Sequence, residues 1–355
     1  MDNLLKDFRE RIERASRDKA PLRIRGSGSK DWYGRSVQGE VLDTSGYRGI
    51  ISYEPTELVI TARAGTPLRE IEATLAEQGQ MLAFEPPHFG PGATIGGVVA
   101  SGLAGPRRQA AGGVRDFVLG TTLMDGHGEA LRFGGQVMKN VAGYDVSRLL
   151  AGSLGMLGLI LEVSLKVMPR PQAESTLRLA LDQEEALQRM NQWGGQPLPV
   201  SATAWHDGLL TVRLSGAHAA VQAATARIGG EVLPQDAANA YWSDLREQRH
   251  AFFADEGTPL WRFALPTVAS ALPHAGPQWI EWGGGQRWLR SDDSAEAMQT
   301  LAVRHGGHAA LFRGGTREQG VFQPLAPAIH AIHRNLKNAF DPAGIFNPGR
   351  MYQDL

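Results

Sequence analysis

Residues 24–30 read IRGSGSK, a stretch of small residues that follows a short apolar run. A dinucleotide fingerprint, G-x-G-x-x-G, needs a third glycine, but counted from Gly26 and Gly28 that position is an aspartate. A nucleoside triphosphate loop needs four residues between its first glycine and a Gly-Lys-Ser/Thr end, and this spacing is missing too. The stretch therefore predicts a nest of backbone N–H groups for an anion, with Arg25 and Lys30 as countercharges and a phosphate as the expected ligand.

The bulk composition limits the class of protein. The chain has 355 residues, enough for about two domains of roughly 150 residues each, and 42% of them are hydrophobic. Its net charge is −1 with both signs interspersed, so nucleic acid is not an expected partner. No apolar run suits a signal peptide or a membrane span, and we expect a soluble, cytoplasmic chain. Because there is no cysteine, iron–sulfur clusters and thiolate zinc sites are excluded, and redox chemistry must use an organic cofactor.

The first half of the chain predicts strands separated by glycine-rich segments. The N-terminal MDNLLKDFRERIERASRDKA has helical spacing, and residues 41–64 predict two strands. Thr66 and Pro67 have the preferences of the first positions of a helix over LREIEATLAEQG. Residues 86–113 are rich in glycine, proline and alanine and predict a long ligand-binding loop. The segment FVLGTTLMDGHGEALRFG predicts a hairpin with an Asp-Gly turn.

The second half has a more regular pattern. From TLRLALD to GEVL the order predicts a β-α-β-β-α-β unit, and a helical spacer, DAANAYWSDLREQRHAFF, follows. The order then recurs more loosely from LWRFALP through TVASAL, in the place of a helix, to HAALFRG. We therefore predict two ferredoxin-like halves in a second domain. The chain closes with an amphipathic helix, AIHAIHRNLKNAF, and with DPAGIFNPGRMY, whose proline turns cannot extend that helix.

Four segments, taken together, resemble one known family. They are R-G-x-G-S at 25–29, A-T-I-G-G at 93–97, KNVAGYD at 139–145 and GSLGMLGLILEV at 152–163. Over residues 20–171 the chain resembles the FAD-binding domain of the vanillyl-alcohol oxidase family, also called the PCMH-type fold. The resemblance implies an α+β protein with a PCMH-type FAD-binding domain at 1–171 and a cap domain of two ferredoxin-like halves at 172–325. A C-terminal segment at 326–355 is expected to return to the FAD domain.

The same resemblance implies which residues bind FAD. In that family the first loop and the A-T-I-G-G turn hold the pyrophosphate through main-chain N–H groups, and the end of the glycine-rich segment after KNVAGYD meets the adenine side. By position, the implied cofactor-binding residues are Arg25, Gly26, Ser27, Gly28, Ser29, Lys30, Pro87, Gly92, Ala93, Thr94, Ile95, Gly96, Gly97, Ser101, Gly102, Gly152, Ser153, Gly155, Gly158, Leu159, Ile160 and Asn347. Hydrogen bonds to a charged group contribute about 1.5–3 kcal/mol each, so several converging donors can hold a diphosphate.

Some members of the family attach the flavin through a histidine or cysteine of the first loop. Here that place is occupied by Ser29 and Lys30, so we expect FAD to be non-covalent. His88 lies either near the flavin ring or in a hydrogen-bonded loop, and the second is favoured.

Each of the other candidate functional residues can also be explained by a purely structural role. His305 and His308 are followed by no carboxylate at close spacing, so a loop is favoured over a metal site and no metal is expected. His330 and His333 are typical of a solvated helix face. The cap residues that can clamp a carboxylate or wall a pocket are Arg262, Arg287, Arg290, Arg313, Trp282 and Trp288. Ordinary packing explains each of them as well, so no catalytic residue is assigned.

The whole chain resembles the FAD-binding accessory subunits of bacterial glycolate oxidases. It lacks the histidine-rich H-x-G-x-G-N-x-H stretch of the larger catalytic subunit and of the related D-lactate dehydrogenases. The resemblance implies an FAD-dependent oxidoreductase subunit, in a complex that converts glycolate to glyoxylate. It would relay or store electrons between a catalytic flavin subunit and an iron–sulfur subunit, and any inner-membrane contact would come through these partners. The alternatives are a self-sufficient FAD-dependent 2-hydroxy-acid dehydrogenase and a scaffold that binds no flavin.

Overall fold

The computed structural model describes residues 1–135 and 144–355, so residues 139–143 of the KNVAGYD motif lie outside the described part. In the N-terminal region, residues 1–171, the helices are α1 (Asp2–Asp18), α2 (Leu68–Glu77), α3 (Ile95–Ser101), α4 (Arg108–Ala111) and α5 (Val114–Phe117). The strands are β1 (Leu22–Arg25), β2 (Glu40–Asp43), β3 (Ile50–Glu54), β4 (Val59–Arg63), β5 (Gln80–Met81), β6 (Val118–Met124), β7 (Ala130–Gly134), β8 (Leu159–Lys166) and β9 (Met168–Pro169).

A five-stranded antiparallel sheet of order β3-β4-β8-β6-β7 is the centre of the N-terminal region. Its middle strand, β8, is buried along most of its length, as the nearly continuous apolar run LGLILEV predicts. Ile160 and Val163 pack in a core cluster with α2 and α3. Leu159 and Leu161 pack in a second cluster with α1, β1 and β2, which pair in parallel beside the sheet. The sheet is therefore covered on both faces.

The predicted hairpin is confirmed. Strands β6 and β7 are antiparallel, with Met124 opposite Ala130 at the turn. The Asp125 carboxylate accepts hydrogen bonds from the backbone N–H groups of His127 and Glu129, both at 2.9 Å. An aspartate that satisfies its own turn in this way explains why the Asp-Gly signal was sufficient.

Two local predictions in this region are wrong. Residues 41–64 contain parts of three strands rather than two, and α2 starts after Pro67 without a side-chain cap. The Thr66 hydroxyl instead accepts from Gly49 N–H at 2.9 Å and donates to the Arg63 carbonyl at 2.7 Å, so it joins two strands.

The segment 86–113 is also not one long loop, because it contains the helix α3. The Thr94 hydroxyl caps that helix by accepting from Gly97 N–H at 3.3 Å, and Gly102 ends it in the left-handed conformation at φ 64°. Ile95, Val98 and Val99 are fully buried in the core cluster with α2. A good cap and three buried side chains outweigh the low helix propensity of two glycines.

The second half of the chain forms one large sheet and the helices beside it. The helices are α6 (Gln183–Gly194), α7 (His218–Ile228), α8 (Gln235–Arg246), α9 (Ala251–Ala254), α10 (Ala295–Arg304) and α11 (Pro327–Phe340). The strands are β10 (Ala173–Ala180), β11 (Val200–His206), β12 (Leu209–Gly216), β13 (Glu231–Val232), β14 (Leu260–Ala264), β15 (Gln278–Glu281), β16 (Gln286–Arg290) and β17 (His308–Arg313). Residues 172–325 are called the cap region below.

The cap sheet has the order β13-β10-β12-β11-β15-β16-β14-β17. Across the first half, β10–β13, the sheet contains the fourth, first, third and second strand in that order. Across the second half, β14–β17, it contains the second, third, first and fourth strand, which is the mirror order. The two halves join edge to edge through β11 and β15, with Ala204 opposite Glu281. Two ferredoxin-like halves are therefore confirmed in the strand pairing, and α8 and α9 confirm the helical spacer between them.

The second half departs from the prediction in one element. Residues 265–277, which include TVASAL, form a loop where the first half has α6. Three prolines in this stretch disfavour a helix. The fully buried guanidinium of Arg287 donates to the carbonyls of Ala269 and Ser270, which gives this loop the partners that helix hydrogen bonds would supply.

The chain after α11 packs against the N-terminal region. Phe346 forms a bridge with Leu22 of β1, and Ile345 accepts a hydrogen bond from Leu22 N–H at 2.7 Å. Lys337 Nζ, almost fully buried, donates to Asp341 Oδ2 at 2.6 Å and to the carbonyls of Met156 and Phe346. Among the described residues, no helix combines the length and the apolar character needed to cross a membrane.

The substitution Lys337→Met should strongly destabilise the fold. It leaves the carboxylate of Asp341, which has no exposed surface, without its cation, and removing one partner of a buried pair costs about 3–5 kcal/mol. Urea-induced unfolding followed by tryptophan fluorescence measures the loss. The matched control is Lys6→Met, which breaks the exposed Lys6–Glu10 pair and should change the free energy of unfolding by less than about 0.5 kcal/mol. Equal losses of unfolding free energy in the two variants would contradict a stabilising role of the buried Lys337–Asp341 pair.

Candidate functional site

A cleft of about 90 Å³ lies where the first loop, residues 25–30, meets α3 and the C-terminal segment. It combines main-chain groups of glycine and serine with several cationic side chains. Its lining residues are Ile24, Arg25, Gly26, Ser27, Gly28, Ser29, Lys30, Asp31, Tyr33, Thr94, Gly97, Ala100, Ser101, Leu154, Asn347 and Arg350. Such a lining suits a small anion.

Two positions of the first loop require glycine. Gly28 has φ +81°, a conformation that side chains disfavour, and a Cβ there would collide with the guanidinium of Arg25. A Cβ on Gly26 would lie 2.5 Å from the hydroxyl of Thr94. Gly26 therefore lets the loop lie against the start of α3, and Gly28 lets the Arg25 guanidinium lie over the loop.

Lys30 is the most deeply buried cation of the first loop. Its Nζ donates to the carbonyl of His88 at 3.1 Å and lies 5.7 Å from the centre of the Phe89 ring. Burial lowers the pKa of Lys30 to about 8, although the nearby Glu247 carboxylate opposes the shift. This ammonium therefore loses its charge at a pH only slightly above neutral.

Arg350 places a second buried cation at the cleft. Its Nη2 donates to the carbonyls of Lys30 at 3.2 Å and Asp31 at 3.0 Å, which fastens the first loop to the C-terminal segment. Burial lowers the pKa of Arg350 to about 10, so the group stays charged at neutral pH. Its Nε is buried and has no hydrogen-bond partner in the described part of the chain.

Asp31 is the one carboxylate among the lining residues that the structure describes. A single oxygen, Oδ2, accepts from Arg23 Nη2 at 2.6 Å and from Arg25 Nε at 2.7 Å. The two arginines that flank the start of the first loop are therefore held by the acid that ends it.

The structure brings together part of the predicted cofactor-binding set. Around the cleft lie Arg25, Gly26, Ser27, Gly28, Ser29, Lys30, Thr94, Gly97, Ser101 and Asn347. Gly92 lies beside Ser27, where a Cβ would approach the serine Cβ to 2.9 Å. Gly102 lies against Gly152, and Gly155 against the amide of Asn347.

Other predicted residues lie away from the cleft. Gly152 and Ser153 line an apolar groove beside α11, and Pro87 lines a cavity against the cap sheet. Leu159 and Ile160 are buried in β8, next to Gly158, and Ala93 and Ile95 are buried in the core. Gly96 packs against Ala64.

Six lining residues were not predicted: Ile24, Asp31, Tyr33, Ala100, Leu154 and Arg350. Asp31 and Arg350 adjoin motifs that the sequence did identify, IRGSGSK and the Asn-Pro-Gly turn. Their charge next to such motifs was a usable signal. The other four contribute mainly apolar surface, which carries no such signal.

A second cavity lies between the N-terminal region and the cap sheet, and its volume is only about 20 Å³. Rings from both sides fill the surrounding space: Trp32 and Trp288 lie 5.0 and 4.7 Å from the ring of Phe312. The cavity also contains Glu281, which is nearly fully buried and accepts from Trp288 Nε1 at 2.6 Å. Burial raises the pKa of Glu281 to about 7.

The cap arginines have other partners. Arg287 and Arg290 are buried, and each donates to three main-chain carbonyls of the cap. Arg313 lies over the rings of Trp32, at 4.4 Å, and Phe89. Arg262 lies 5.9 Å from the Tyr33 ring, and its Nη2 donates to the Tyr33 hydroxyl at 3.3 Å. These four residues therefore support the fold or the contact between regions.

The predicted cap tryptophans also pack. Trp282 Nε1 donates to the carbonyl of Gly105 at 3.1 Å, and the guanidinium of Arg108 lies over its ring at 4.6 Å. Trp288 contacts Glu281 as described above.

A larger cavity, of about 400 Å³, is lined by residues of both the N-terminal region and the cap region, and many of them are charged. Arg107 pairs with Glu85 at 3.4 Å and Glu174 at 2.6 Å, and Arg213 pairs with Glu85 at 2.9 Å. Burial raises the pKa of Glu85, but Arg213 and Arg107 outweigh it and hold that pKa below its usual value. This network ties the two regions together.

The histidines take structural positions. His88 Nε2 lies 2.8 Å from a Glu72 oxygen, and its backbone N–H donates to Glu247, so it is a hydrogen-bonded loop residue. His305 Nδ1 lies 2.9 Å from the Leu301 carbonyl. His330 contacts Asp354 at 3.0 Å rather than solvent alone. Within residues 1–135 and 144–355, no group of three or more possible metal ligands occurs.

Comparison with known sequences identifies relatives of this chain. A family model described as FAD binding domain matches residues 5–134. Glycolate oxidase subunit GlcE of Escherichia coli (strain K12) is 50% identical over 98% of this chain and 97% of its own length. Glycolate oxidase subunit GlcD of Bacillus subtilis (strain 168) is 30% identical over 46% of this chain and 35% of its own length. D-lactate dehydrogenase of Anaerostipes hadrus is 32% identical over 39% of this chain and 29% of its own length.

A solved structure shows the fold. Alkyldihydroxyacetonephosphate synthase aligns over 96% of this chain and 74% of its own, with a TM-score of 0.65 and 15% sequence identity. At this identity the likeness concerns the fold alone. Together with the family match it confirms the predicted α+β fold with a PCMH-type FAD-binding domain and FAD as the cofactor.

The residues around the cleft fit the diphosphate of FAD. The unpartnered Arg350 Nε is a buried donor, and Gly26 and Gly28 let the Thr94 hydroxyl and the Arg25 guanidinium approach the main chain of the first loop. The volume of about 90 Å³ lies well below the roughly 300–1,000 Å³ of a pocket for a whole organic ligand. The cleft therefore matches the diphosphate portion and not the ring systems.

The substitution Gly28→Ala should lower the affinity for FAD by roughly tenfold or more, because the new Cβ needs a disfavoured φ and displaces Arg25. Flavin titration of the full chain, followed by fluorescence, measures the change. Gly194→Ala is the matched control, since a Cβ there meets open space in the cap. If Gly28→Ala binds FAD like the control, the first loop is not the diphosphate site.

Affinity for FAD should also fall as the pH rises above about 8, by roughly tenfold at full deprotonation. Because the pKa of Lys30 is lowered to about 8, its charge is present below that pH and lost above it, and the diphosphate is an anion. Titrations between about pH 7 and about pH 9 test this, with Lys30→Met expected to flatten the curve and the exposed control Lys6→Met to retain it. A slope that survives in Lys30→Met would assign the effect to another group.

Proposed function

The chain belongs to the family of FAD-binding proteins that includes glycolate oxidase subunit GlcE, and on this premise we propose that it is the FAD-binding subunit of a glycolate oxidase complex. The complex oxidises glycolate to glyoxylate, and this subunit relays or stores electrons. The observation that carries the proposal is identity at half of all aligned positions over nearly the full length of both chains.

The engaged cap arginines support a relay rather than a separate substrate site. A flavin oxidises a hydroxy acid only when the substrate carbon lies against the ring, and a carboxylate substrate needs a cation that holds it there. Arg287 and Arg290 donate to main-chain carbonyls, and Arg313 lies over aromatic rings.

The first loop and the start of α3 are proposed to hold the FAD diphosphate. Main-chain groups of residues 26–29 face it, Thr94 and Gly97 lie opposite, and Arg350 supplies a buried positive charge. When bound, FAD supplies two-electron and one-electron redox chemistry. The chain contributes binding, orientation and the exclusion of water.

Attachment of FAD is proposed to be non-covalent. The chain contains no cysteine, and the imidazole of His88, the histidine near the first loop, is engaged by Glu72 at 2.8 Å.

The sheet boundaries also support the proposed division into a FAD domain at 1–171, a cap at 172–325 and a returning segment at 326–355.

The proposed partners are a catalytic flavin subunit and an iron–sulfur subunit. The 50% identical relative is a glycolate oxidase subunit, and GlcD is a second glycolate oxidase subunit that this chain resembles in part. Since this chain has no cysteine, iron–sulfur clusters of the complex must belong to another polypeptide. The proposed location is the cytoplasm, with any contact to the inner membrane made by partner subunits.

A self-sufficient 2-hydroxy-acid dehydrogenase is the second candidate. The cavity of about 400 Å³ favours it, because arginines such as Arg107 and Arg213 line it and can bind a carboxylate. Both arginines already pair with Glu85, so a substrate anion would have to replace that carboxylate. The relay is therefore the better supported function.

Anaerobic stopped-flow spectroscopy separates the candidates. The FAD-loaded chain is mixed with glycolate, D-lactate or L-lactate, first alone and then with its partner subunits. We expect no loss of oxidised-flavin absorbance in the isolated chain, because the cap arginines that would hold a substrate carboxylate are engaged, and reduction by glycolate when the partners are present. Reconstitution with Gly28→Ala at limiting FAD should lower electron delivery to an external acceptor dye, whereas Gly194→Ala should retain it.

Two outcomes would contradict the relay. Reduction of the isolated chain by one hydroxy acid, at the rate of the complex, would establish the self-sufficient dehydrogenase. A colourless chain that takes up no FAD on titration would establish a scaffold.

A further inference from the structure

An acidic residue, Asp31, directly follows the first loop. Asp31 Oδ2 accepts hydrogen bonds from both Arg23 and Arg25, at 2.6 and 2.7 Å. The backbone N–H of Asp31 donates to the carbonyl of Gly28 at 3.0 Å, so the residue is fixed to the loop it follows. The carboxylate therefore lies at the edge of the cleft with two cations on one oxygen.

The charges around the cleft make this carboxylate unexpected. Arg25, Lys30 and Arg350 face a space that suits an anion, and Asp31 is the acidic residue among the described lining residues. A carboxylate beside a diphosphate repels it. The Asp31 side chain is only about a third exposed, so exposure to solvent alone does not explain why a carboxylate lies in an anion site.

The position of Arg25 provides that explanation. Its guanidinium lies over Gly28, where a Cβ would collide with it, so the Asp31–Arg25 pair covers the centre of the first loop. Asp31 engages only the Nε donor of Arg25, and a guanidinium has five N–H donors, so the Nη groups over Gly28 remain available to a phosphate. The Asp31 carboxylate beside them offsets the charge of Arg25 and repels that phosphate.

We propose that Asp31 weakens the attraction of Arg25 for the FAD diphosphate, and so sets a weaker, exchangeable affinity for the cofactor. The carboxylate stays beside Arg25 and lowers the net positive charge that the diphosphate meets. This inference rests on the placement of FAD in the cleft proposed above. It adds an affinity-setting residue that no motif identifies.

The test is Asp31→Asn in the full chain, stripped of flavin and titrated with FAD at low and at physiological salt. Asparagine keeps the shape of the side chain but loses its charge, so the dissociation constant for FAD should fall by about tenfold, with a steeper salt dependence. Asp31→Ser is the second variant, and thermal unfolding checks that both fold. The matched control is Asp43→Asn, since Asp43 lies opposite Arg25 in the β1–β2 ladder but outside the cleft lining.

Two probes assign the effect to the diphosphate. Inorganic diphosphate alone, measured by calorimetry, should bind Asp31→Asn about tenfold more tightly than the wild type, whereas the affinity for riboflavin, which has no phosphate, should not change. Unchanged or weaker FAD binding by both Asp31 variants would overturn the proposal and make Asp31 a brace for the loop. A wild-type chain that binds no FAD at all would instead overturn the placement of FAD itself, so the two failures are distinguishable.

Discussion

The side-chain amide of Asn347 joins three segments that are far apart in the sequence. Its Oδ1 accepts from Ile24 N–H at 2.9 Å, directly before the first loop, and its Nδ2 donates to the carbonyl of Leu154 at 2.7 Å. The side chain is almost fully buried, so both partners would be left unsatisfied without it, at about 1–3 kcal/mol for each group. This amide, together with the hydrogen bonds of Arg350, therefore holds the first loop, the segment 152–155 and the C-terminal segment around the cleft.

Charge determines what the assembled cleft can hold. Burial makes the cations of Lys30 and Arg350 costly to keep, as their lowered pKa values show, and a bound anion offsets that cost. The Asp31 carboxylate partly offsets it for Arg350, whose pKa it raises against the effect of burial. The same charges therefore support both the proposed affinity for diphosphate and the proposed limit on that affinity.

Sequence patterns predicted the elements whose signals are local. The Asp125 turn carries its own hydrogen bonds, and the first ferredoxin-like half follows from strand and helix periodicity. The cluster at residues 25–30 was recognisable because small residues leave the backbone uncovered. Three prolines were a local signal against a helix at 265–277, but the hydrogen bonds of that loop were not predictable, since its carbonyls depend on Arg287, which comes later in the sequence. Likewise, only the fold brings Arg350 to the carbonyl of Lys30.

We propose that the diphosphate of FAD lies between the first loop and α3. A crystal structure of the FAD-loaded chain tests this placement. We expect phosphate oxygens within hydrogen-bond distance of the main chain at residues 26–29, with Thr94 and Gly97 opposite. Phosphates bound instead in the cavity of about 400 Å³ beside Arg107 and Arg213 would contradict this placement.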